Sequence, residues 1–416
     1  MLDQAVTRDE ASEFGIEEML FSRTDERGVI RAGNEVFFRV SKYPVDELID
    51  APHKKVRHPD MPKAVFWLMW NMLGRGKPIG AYVKNRASDG SFYWVFAMVA
   101  PRPGGFLSIR IKPSSDRLEM IEEMYGRLRS QELTEDLSAE DSAKRMLAEL
   151  EEQGWSSYSA FMTQALVDET KARSEAMGGQ SDRQSQDIAE VQSDAFKSLE
   201  IAQSILNSFA TIAGFPVNMH IQASKLKSSG KIFGTIADNY ERLSRRIEEC
   251  MRSFIEARRT TSETVDDGLF QLMLAKYAME MESSFEREAH QNSFYANDLE
   301  DTPQGSGLDH ASEAQMLTEQ RVQNLSDAAA GLTQISSEYK KFSRLINDML
   351  GILSGLSVTQ FVGLVETARL NSSGQTLNAM LQDVTNVQNE ATENLKQLAA
   401  LNTSITARIK SLSSAL

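Results

Sequence analysis

Residues 56–62 read Val-Arg-His-Pro-Asp-Met-Pro, and Lys63-Ala64-Val65-Phe66-Trp67-Leu68-Met69-Trp70 follows at once. A cation, an imidazole and a carboxylate (Arg57, His58, Asp60) stand within four positions at the mouth of an aromatic-rich run. Pro62 suits the first turn of a helix and Asp60 is placed to cap it, so a helix is expected as far as Leu73, ended by Gly74 and Gly76. Upstream, residues 21–24 and 29–32 flank the turn Asp25-Glu26-Arg27-Gly28 as a short hairpin, and Gly33-Asn34 opens a short helix through Val40. Downstream, residues 79–86, 92–100 and 106–111 read as three strands separated by Ser88-Asp89-Gly90 and by the turn at 101–105. Together these elements predict an α+β domain over residues 20–113, an antiparallel sheet with flanking helices, preceded by an N-terminal cap at 1–19.

The whole chain has 416 residues, too many for one compact core. All four Trp (Trp67, Trp70, Trp94, Trp155) precede residue 160, and beyond them Ser, Ala, Leu, Glu, Gln and Asn dominate, as in helical bundles and coiled coils. A formal net charge of −14 argues against nucleic acid as the main partner. Cys250 is the only cysteine, which excludes an intramolecular disulfide and fits a reducing, cytoplasmic setting. The start Met1-Leu2-Asp3-Gln4 does not read as a signal peptide, and no run of about 18 apolar residues appears, so no membrane span is expected.

From Leu118 onward apolar residues recur at three- and four-residue spacing. Leu118, Ile121, Met124 and Leu128 form the stripe of a connector helix within 114–135. A first helical hairpin is expected over 136–290, broken near 214–217 at Gly214-Phe215-Pro216. A breaker-rich linker at 291–310 follows, then a second hairpin over 311–416, broken near 354–357 at Ser354-Gly355. Residues 212–238 and 356–382 resemble each other without a gap: Ser228-Ser229-Gly230 recurs as Ser372-Ser373-Gly374, 144 positions on. Shared periodicity alone is the plain explanation; a true duplication implies two hairpins, enough for a four-helix bundle in one chain.

The chemistry is concentrated before residue 113. His53, Arg57, His58 and Asp60 cluster beside the aromatic helix; Arg57 offers a planar fork to a carbonyl-rich ring edge or a phosphate. Phe66, Trp70 and Tyr93 offer flat walls, and Asn34 and Asn85 amide groups. Each has a structural alternative: Asp60 as a cap, Arg57 as an ion-pair partner, Trp67 and Trp70 as core. Elsewhere no phosphate loop, nucleophile elbow or metal-spaced cluster stands out, so enzymatic activity is not expected. His220, His290 and His310 are scattered, Glu151-Glu152 and Glu248-Glu249 read as solvated faces, and Met273, Met279 and Met281 as packing.

Residues 20–112 resemble the PAS domains of bacterial aerotaxis receptors. The resemblance is carried by Pro52-His53, Val56-Arg57-His58-Pro59-Asp60-Met61-Pro62-Lys63-Ala64, Phe66, Met69-Trp70, Val83-Lys84-Asn85-Arg86, Gly90, Tyr93-Trp94-Val95, Ser108-Ile109-Arg110 and the helix start at Asn34. It implies a PAS fold that holds FAD noncovalently and reports redox state or oxygen, with Asn34, Arg57, His58, Asp60, Phe66, Trp70 and Tyr93 shaping the flavin pocket. Ile79 stands where that family usually has Trp, which removes one aromatic. Haem through His58 or His53 is a minor alternative, and a ligand-free PAS domain for protein contacts another.

Asn218, Ile221, Ala223, Gly230, Phe233, Ala237-Asp238 and Leu243 faintly resemble the descending arm of a chemoreceptor signalling hairpin, although its tip and later glycine-rich run are altered here. The resemblances imply a cytoplasmic redox or oxygen sensor in chemotaxis or related signalling. Its partners would be a histidine kinase, a coupling protein or receptor arrays, clustered at a cell pole, with the chain itself a homo-oligomer. Two alternatives are a PAS-coiled-coil scaffold for a polar or cytoskeletal assembly, and an adaptor that antagonises receptors within their arrays.

Overall fold

The computed structural model describes residues 7–179, 182–226, 230–295, 310–370 and 375–416. The chain forms two compact units, one of residues 1–186 with 265–331, the other of residues 187–264 with 332–416.

In the first unit β1 (Met19–Thr24), β2 (Ile30–Gly33), α1 (Glu35–Ser41), α2 (Val45–Leu48), a 3-10 turn (His53–Val56) and α3 (Lys63–Gly74) precede β3 (Ile79–Arg86), β4 (Phe92–Arg102) and β5 (Gly105–Ile111). The strands make one antiparallel sheet in the order β2-β1-β5-β4-β3. Its register pairs Ser22 with Ser108, Ser108 with Val99, and Val83 with Val95. Because side chains alternate along a strand, Ser22, Ser108, Arg110, Val99, Val83 and Asn85 share one face. Phe21, Ile109, Met98 and Tyr82 share the other.

Helices α4 (Arg117–Thr134), α5 (Ala139–Glu152) and α6 (Tyr158–Ala176) follow. The second sheet face is covered by helix: Tyr82 Oη donates to Glu169 on α6 at 2.7 Å, and Tyr158 Oη donates to the Gly80 carbonyl at 2.9 Å. Phe21 meets Phe285 of α9 (Gly230–Tyr295) edge to face at 5.1 Å. Buried on both sides, β4 carries an unbroken apolar run from Val95 to Ala100. Between α5 and α6 the chain leaves helix, and Gly154 there takes a φ of +96°.

The second unit is built from α8 (Phe215–Ala223), α11 (Gln375–Ser414), most of α7 (Arg183–Thr211), α9 up to residue 264 and α10 (His310–Arg369) from residue 332. Buried positions step by threes and fours: Leu332, Ile335, Tyr339, Phe342, Ile346, Met349, Leu353 and Leu356 on α10, and Leu377, Leu381, Val384, Gln388, Ala391 and Leu395 on α11. That 3.5-residue repeat is the signature of a coiled-coil seam. The helices pair antiparallel. Arg258 on α9 reaches Ala195 and Ser198 on α7, and Gln360 on α10 reaches Leu381 on α11.

Two sequence expectations are corrected here. α10 runs straight through Ser354-Gly355, because Leu353 and Leu356 keep the seam; burying them outweighs a glycine cost of about 1 kcal/mol. The chain also leaves helix at 212–214, yet α8 continues along the same arm, since His220 on α8 meets Asp238 on α9 at 3.0 Å. The antiparallel partners are instead α8 with α9 and α10 with α11. The residues between them, 227–229 and 371–374, lie outside the described residues; of the two Ser-Ser-Gly triplets only Gly230 is described. The linker read at 291–310 starts later than expected, since α9 extends to Tyr295, and residues 296–309 lie outside the described residues. One helix among the described residues, within Ala311–Arg369, is long and apolar enough to cross a membrane by length and composition. Its seam residues from Leu332 to Leu356 are buried in the second unit.

Candidate functional site

A cavity of about 320 Å³ lies between α3 and the face of the sheet that carries Ser22, Asn85, Ser108 and Arg110. Phe66, Met69, Trp70 and Leu73 supply the helix side, spaced by three, one and three residues so that they share one face. Trp70 packs edge to face on Phe106 at 5.5 Å. The β1–β2 turn comes so close that a Cβ on Gly28, whose φ is +75°, would stand 3.2 Å from the Trp70 ring. Ile79 is fully buried and not part of the cavity wall, so the aromatic missing there leaves Phe66, Trp70 and Phe106 in place.

Five of the nine residues picked from the sequence line this cavity: His53, Arg57, Phe66, Trp70 and Asn85. The Arg57 guanidinium lies 3.8 Å over the Phe66 ring and donates to the Met61 carbonyl at 3.2 Å, which fixes it at the entrance. Burial and then the nearby Arg129 charge pull its pKa below the usual guanidinium value.

The other four do not line it. Asn34 Oδ1 accepts from the amides of Phe21 (2.9 Å) and Phe37 (3.1 Å), and its Nδ2 donates to the Met19 carbonyl, tying β1 to α1. His58 is buried with Nδ1 accepting from the Asp60 amide at 3.2 Å and its ring edge against Phe92. Burial lowers its pKa. Asp60 is not the cap of α3. Its carboxylate takes the Lys84 ammonium at 2.9 Å, and although burial opposes ionisation, Lys84 and His58 hold it below the usual carboxylate range. His58 and Asp60 therefore stitch the loop to β3. Tyr93, paired with Asn85 across β3 and β4, is buried on the cavity's face of the sheet without lining the cavity; burial raises its pKa well above that of a free phenol, and among the described residues its hydroxyl has no hydrogen-bond partner.

The sequence reading missed the inner end of the cavity. Arg110 is 4% exposed, and its Nη2 donates to Ser22 Oγ and His53 Nε2, both at 2.7 Å. Its Nη1, like the nearby Ser108 Oγ, is buried with no hydrogen-bond partner among the described residues. Burial lowers the Arg110 pKa to about 10, so it stays charged at neutral pH. Burial, then the Arg110 charge, depress His53 to about 3. Its ring is therefore neutral, accepts at Nε2, and carries its proton on Nδ1. The available signal was Ser108 and Arg110 two apart in an otherwise apolar strand, a pattern that places both on one buried face.

Among the described residues no carboxylate lines the cavity, while Arg27, Lys54, Arg57 and Arg110 do, in a chain whose net charge is −14. Such a chamber suits a planar, acceptor-rich or anionic ligand. It does not suit haem: His53 Nε2 is held by Arg110, and His58 lies off the cavity. Among the described residues no group of three or more His, Cys, Asp or Glu is arranged to hold a metal ion. His220 sits in the second unit beside Asp238, and the side chains of His290 and His310 lie outside the described residues.

The His53 environment carries a pH signature. A histidine whose folded pKa is depressed from 6.5 to about 3 leaves the unfolded state binding more protons between those values. Stability is therefore expected to fall as pH drops from 6.5 toward 3, by at most about 1.4 kcal/mol per pH unit from this group. His53→Gln should flatten that part of the profile in urea titrations followed by Trp fluorescence. Parallel wild-type and variant profiles would remove His53 as the cause.

Residues 32–105 match the family profile described as the PAS fold. Over 114 residues the chain is 42% identical to the aerotaxis receptor of Escherichia coli strain K12, a stretch that covers 26% of this chain and 22% of the receptor. The chain thus matches under a quarter of that relative's length. The five-stranded antiparallel sheet, the α3 wall with the cavity beneath it, and this match together make the N-terminal domain of the chain a PAS domain, similar to that of an aerotaxis receptor.

Proposed function

We propose that this chain is a PAS sensor that takes FAD in the cavity beneath α3 and signals through its helical units in an aerotaxis-type or related pathway. The observation that carries the reading is the Arg110 guanidinium, buried and charged, with one nitrogen that, like Ser108 Oγ, has no hydrogen-bond partner among the described residues, in a chamber that no described carboxylate lines. An isoalloxazine offers what these donors lack: a flat ring for the Phe66, Trp70 and Phe106 walls, and a carbonyl edge for Arg110 and Ser108. When bound, the flavin supplies a redox-sensitive chromophore. The protein orients it, shields it and keeps His53 neutral beside it.

Output runs through the helices that hold the domain. Glu132 on α4 grips the start of α3, and Glu169 on α6 accepts from Tyr82 on the sheet and from Ser114 and Ser115 at the entry to α4. A shift of α3 on ligand change biases α4 through these contacts. The seam of antiparallel helices, together with a sequence in which Ser-Ser-Gly recurs 144 residues apart, supports a chemoreceptor-like bundle as the output. On this reading the setting is cytoplasmic, the partners are a histidine kinase, its coupling protein and receptor arrays, and the chain catalyses no reaction.

The test is reconstitution of the full chain with excess FAD, removal of free ligand, and a visible spectrum. Retained flavin bands with altered fine structure are expected. A folded chain that emerges colourless overturns the flavin reading and leaves a PAS scaffold.

A further inference from the structure

Outside the chamber, α3 carries a second concavity. Lys63, Trp67 and Asn71 recur every four residues along the helix, and with Ala139 at the start of α5 they line a groove of about 570 Å³. The groove and the chamber are walled in common by Arg57, Phe66 and Trp70. Trp70 is 48% exposed, an unusual state for a large aromatic, and Trp67 is half-buried. As in the chamber, the charged side chains that line the groove, Arg57 and Lys63, are both cationic. Lys63 Nζ donates to the Leu137 carbonyl at 3.1 Å, which holds it at the α5 end.

We propose that this groove seats the nucleoside diphosphate half of the ligand, and that it makes the chain select FAD over riboflavin. The inference rests on the flavin reading above. A chamber of about 320 Å³ encloses a fused ring system and little more, so a dinucleotide tail must leave it. Arg57 stands where the two spaces meet, already fixed over Phe66 and placed to receive a diphosphate through its planar fork. Lys63 adds a second cation, and the Trp67 indole offers the purine a face to stack on. The competing exit runs toward Arg27 and Lys54, which line the chamber but not the groove.

The experiment titrates the full chain with FAD and with riboflavin by flavin fluorescence, for the wild type, for Trp67→Ala with Lys63→Ser, and for Arg27→Ser with Lys54→Ser. Wild type is expected to bind FAD at least tenfold tighter than riboflavin. The Trp67/Lys63 variant should lose about tenfold in FAD affinity, the size of one base–aromatic stack, while its riboflavin affinity stays within twofold. The Arg27/Lys54 variant should keep the wild-type preference. Equal wild-type affinities overturn the inference. So does a parallel loss for both ligands in the Trp67/Lys63 variant, which marks a merely structural role, or loss of the preference in the Arg27/Lys54 variant alone. Failure to bind either flavin is a separate result that removes the flavin reading itself.

Discussion

Glu132→Ala is expected to destabilise the first unit by about 3–5 kcal/mol, the cost of breaking a buried charged network from one side. The Glu132 side chain is fully buried on α4. Its Oε1 accepts from the amides of Lys63 at 2.6 Å and Ala64 at 3.3 Å, and from Ser142 Oγ at 2.7 Å; its Oε2 accepts from Arg129 at 3.1 Å. Those two amides open α3, whose N-cap position is Pro62 with no side-chain cap of its own. A helix start leaves four amides without partners and carries partial positive charge, so a carboxylate there satisfies donors and dipole together. Alanine would strand the two amides and the Ser142 hydroxyl, while Arg129, 27% exposed, keeps its bond to the Pro59 carbonyl and loses only its carboxylate. Glu132→Gln keeps one acceptor oxygen and loses the charge, so a smaller loss of about 1–2 kcal/mol is expected.

The four Trp all belong to the first unit, so Trp fluorescence during urea unfolding reads this loss without interference from the second. A Glu132→Ala loss under about 1 kcal/mol would show that the amides find water or another acceptor, and that α4 does not hold α3. Because α3 is one wall of the cavity, on the proposed flavin reading flavin affinity should fall in the same order, alanine below glutamine below wild type.

The strands were legible because both of their signals are local. Period-two alternation and Gly- or Asp-bearing turns sit within a few residues of each strand, and the turn at Asp25 to Gly28 needed only its own residues to declare itself. The cap of α3 was not legible, because the acceptor lies some seventy positions away on α4, while Asp60 was near and of the right type. Neighbourhood in sequence misled in the same way at Arg57 and His58. The 3-10 turn that ends at Val56 sends Arg57 over Phe66 into the cavity and His58 against Phe92 away from it, so adjacent residues face different spaces. Arg110 escaped notice because a lone cation in an apolar strand says nothing of its partners until the register brings Ser22 and His53 to it. In the helical part Gly214-Phe215-Pro216 looked like the stronger break than Ser228-Ser229-Gly230. Proline at the start of a helix is tolerated, however, and α8 accommodates it within its first turn.

Arg258→Met is expected to raise the stability of the second unit by about 1–4 kcal/mol, against the usual direction of core substitutions. Arg258 occupies a seam position on α9 between Phe254 and Thr261 and is 2% exposed. Its partners are neutral: the Tyr339 hydroxyl, the Ala195 carbonyl at 3.0 Å and Ser198 Oγ at 3.0 Å, with the Tyr339 and Phe342 rings 4.9 and 5.6 Å from the guanidinium carbon. Cation–π contacts return about 0.5–2 kcal/mol, whereas taking a cation out of water costs several kcal/mol even after relaxation. Methionine fills a similar volume and carries no charge. Few groups lose their bonds, since Ser198 Oγ already donates to the Ala195 carbonyl at 2.7 Å. Arg258→Ala, by contrast, should lose about 2–5 kcal/mol, because it leaves a cavity among Tyr339 and Phe342. Thermal unfolding followed by circular dichroism gives both signs; a methionine variant less stable than wild type would show that the neutral partners fully compensate the buried charge. Together with Gln360, Gln388 and Asn402, Arg258 forms a series of polar breaks in an otherwise apolar seam. Such breaks fix helix register at a cost in stability. They are also the points at which a bundle poised between two packings is easiest to move, so in a signalling chain the stabilised Arg258→Met bundle should respond less to the state of the PAS domain. Limited proteolysis of the full chain with and without FAD reads that response: the wild-type cleavage pattern should change with ligand and the methionine variant's should not.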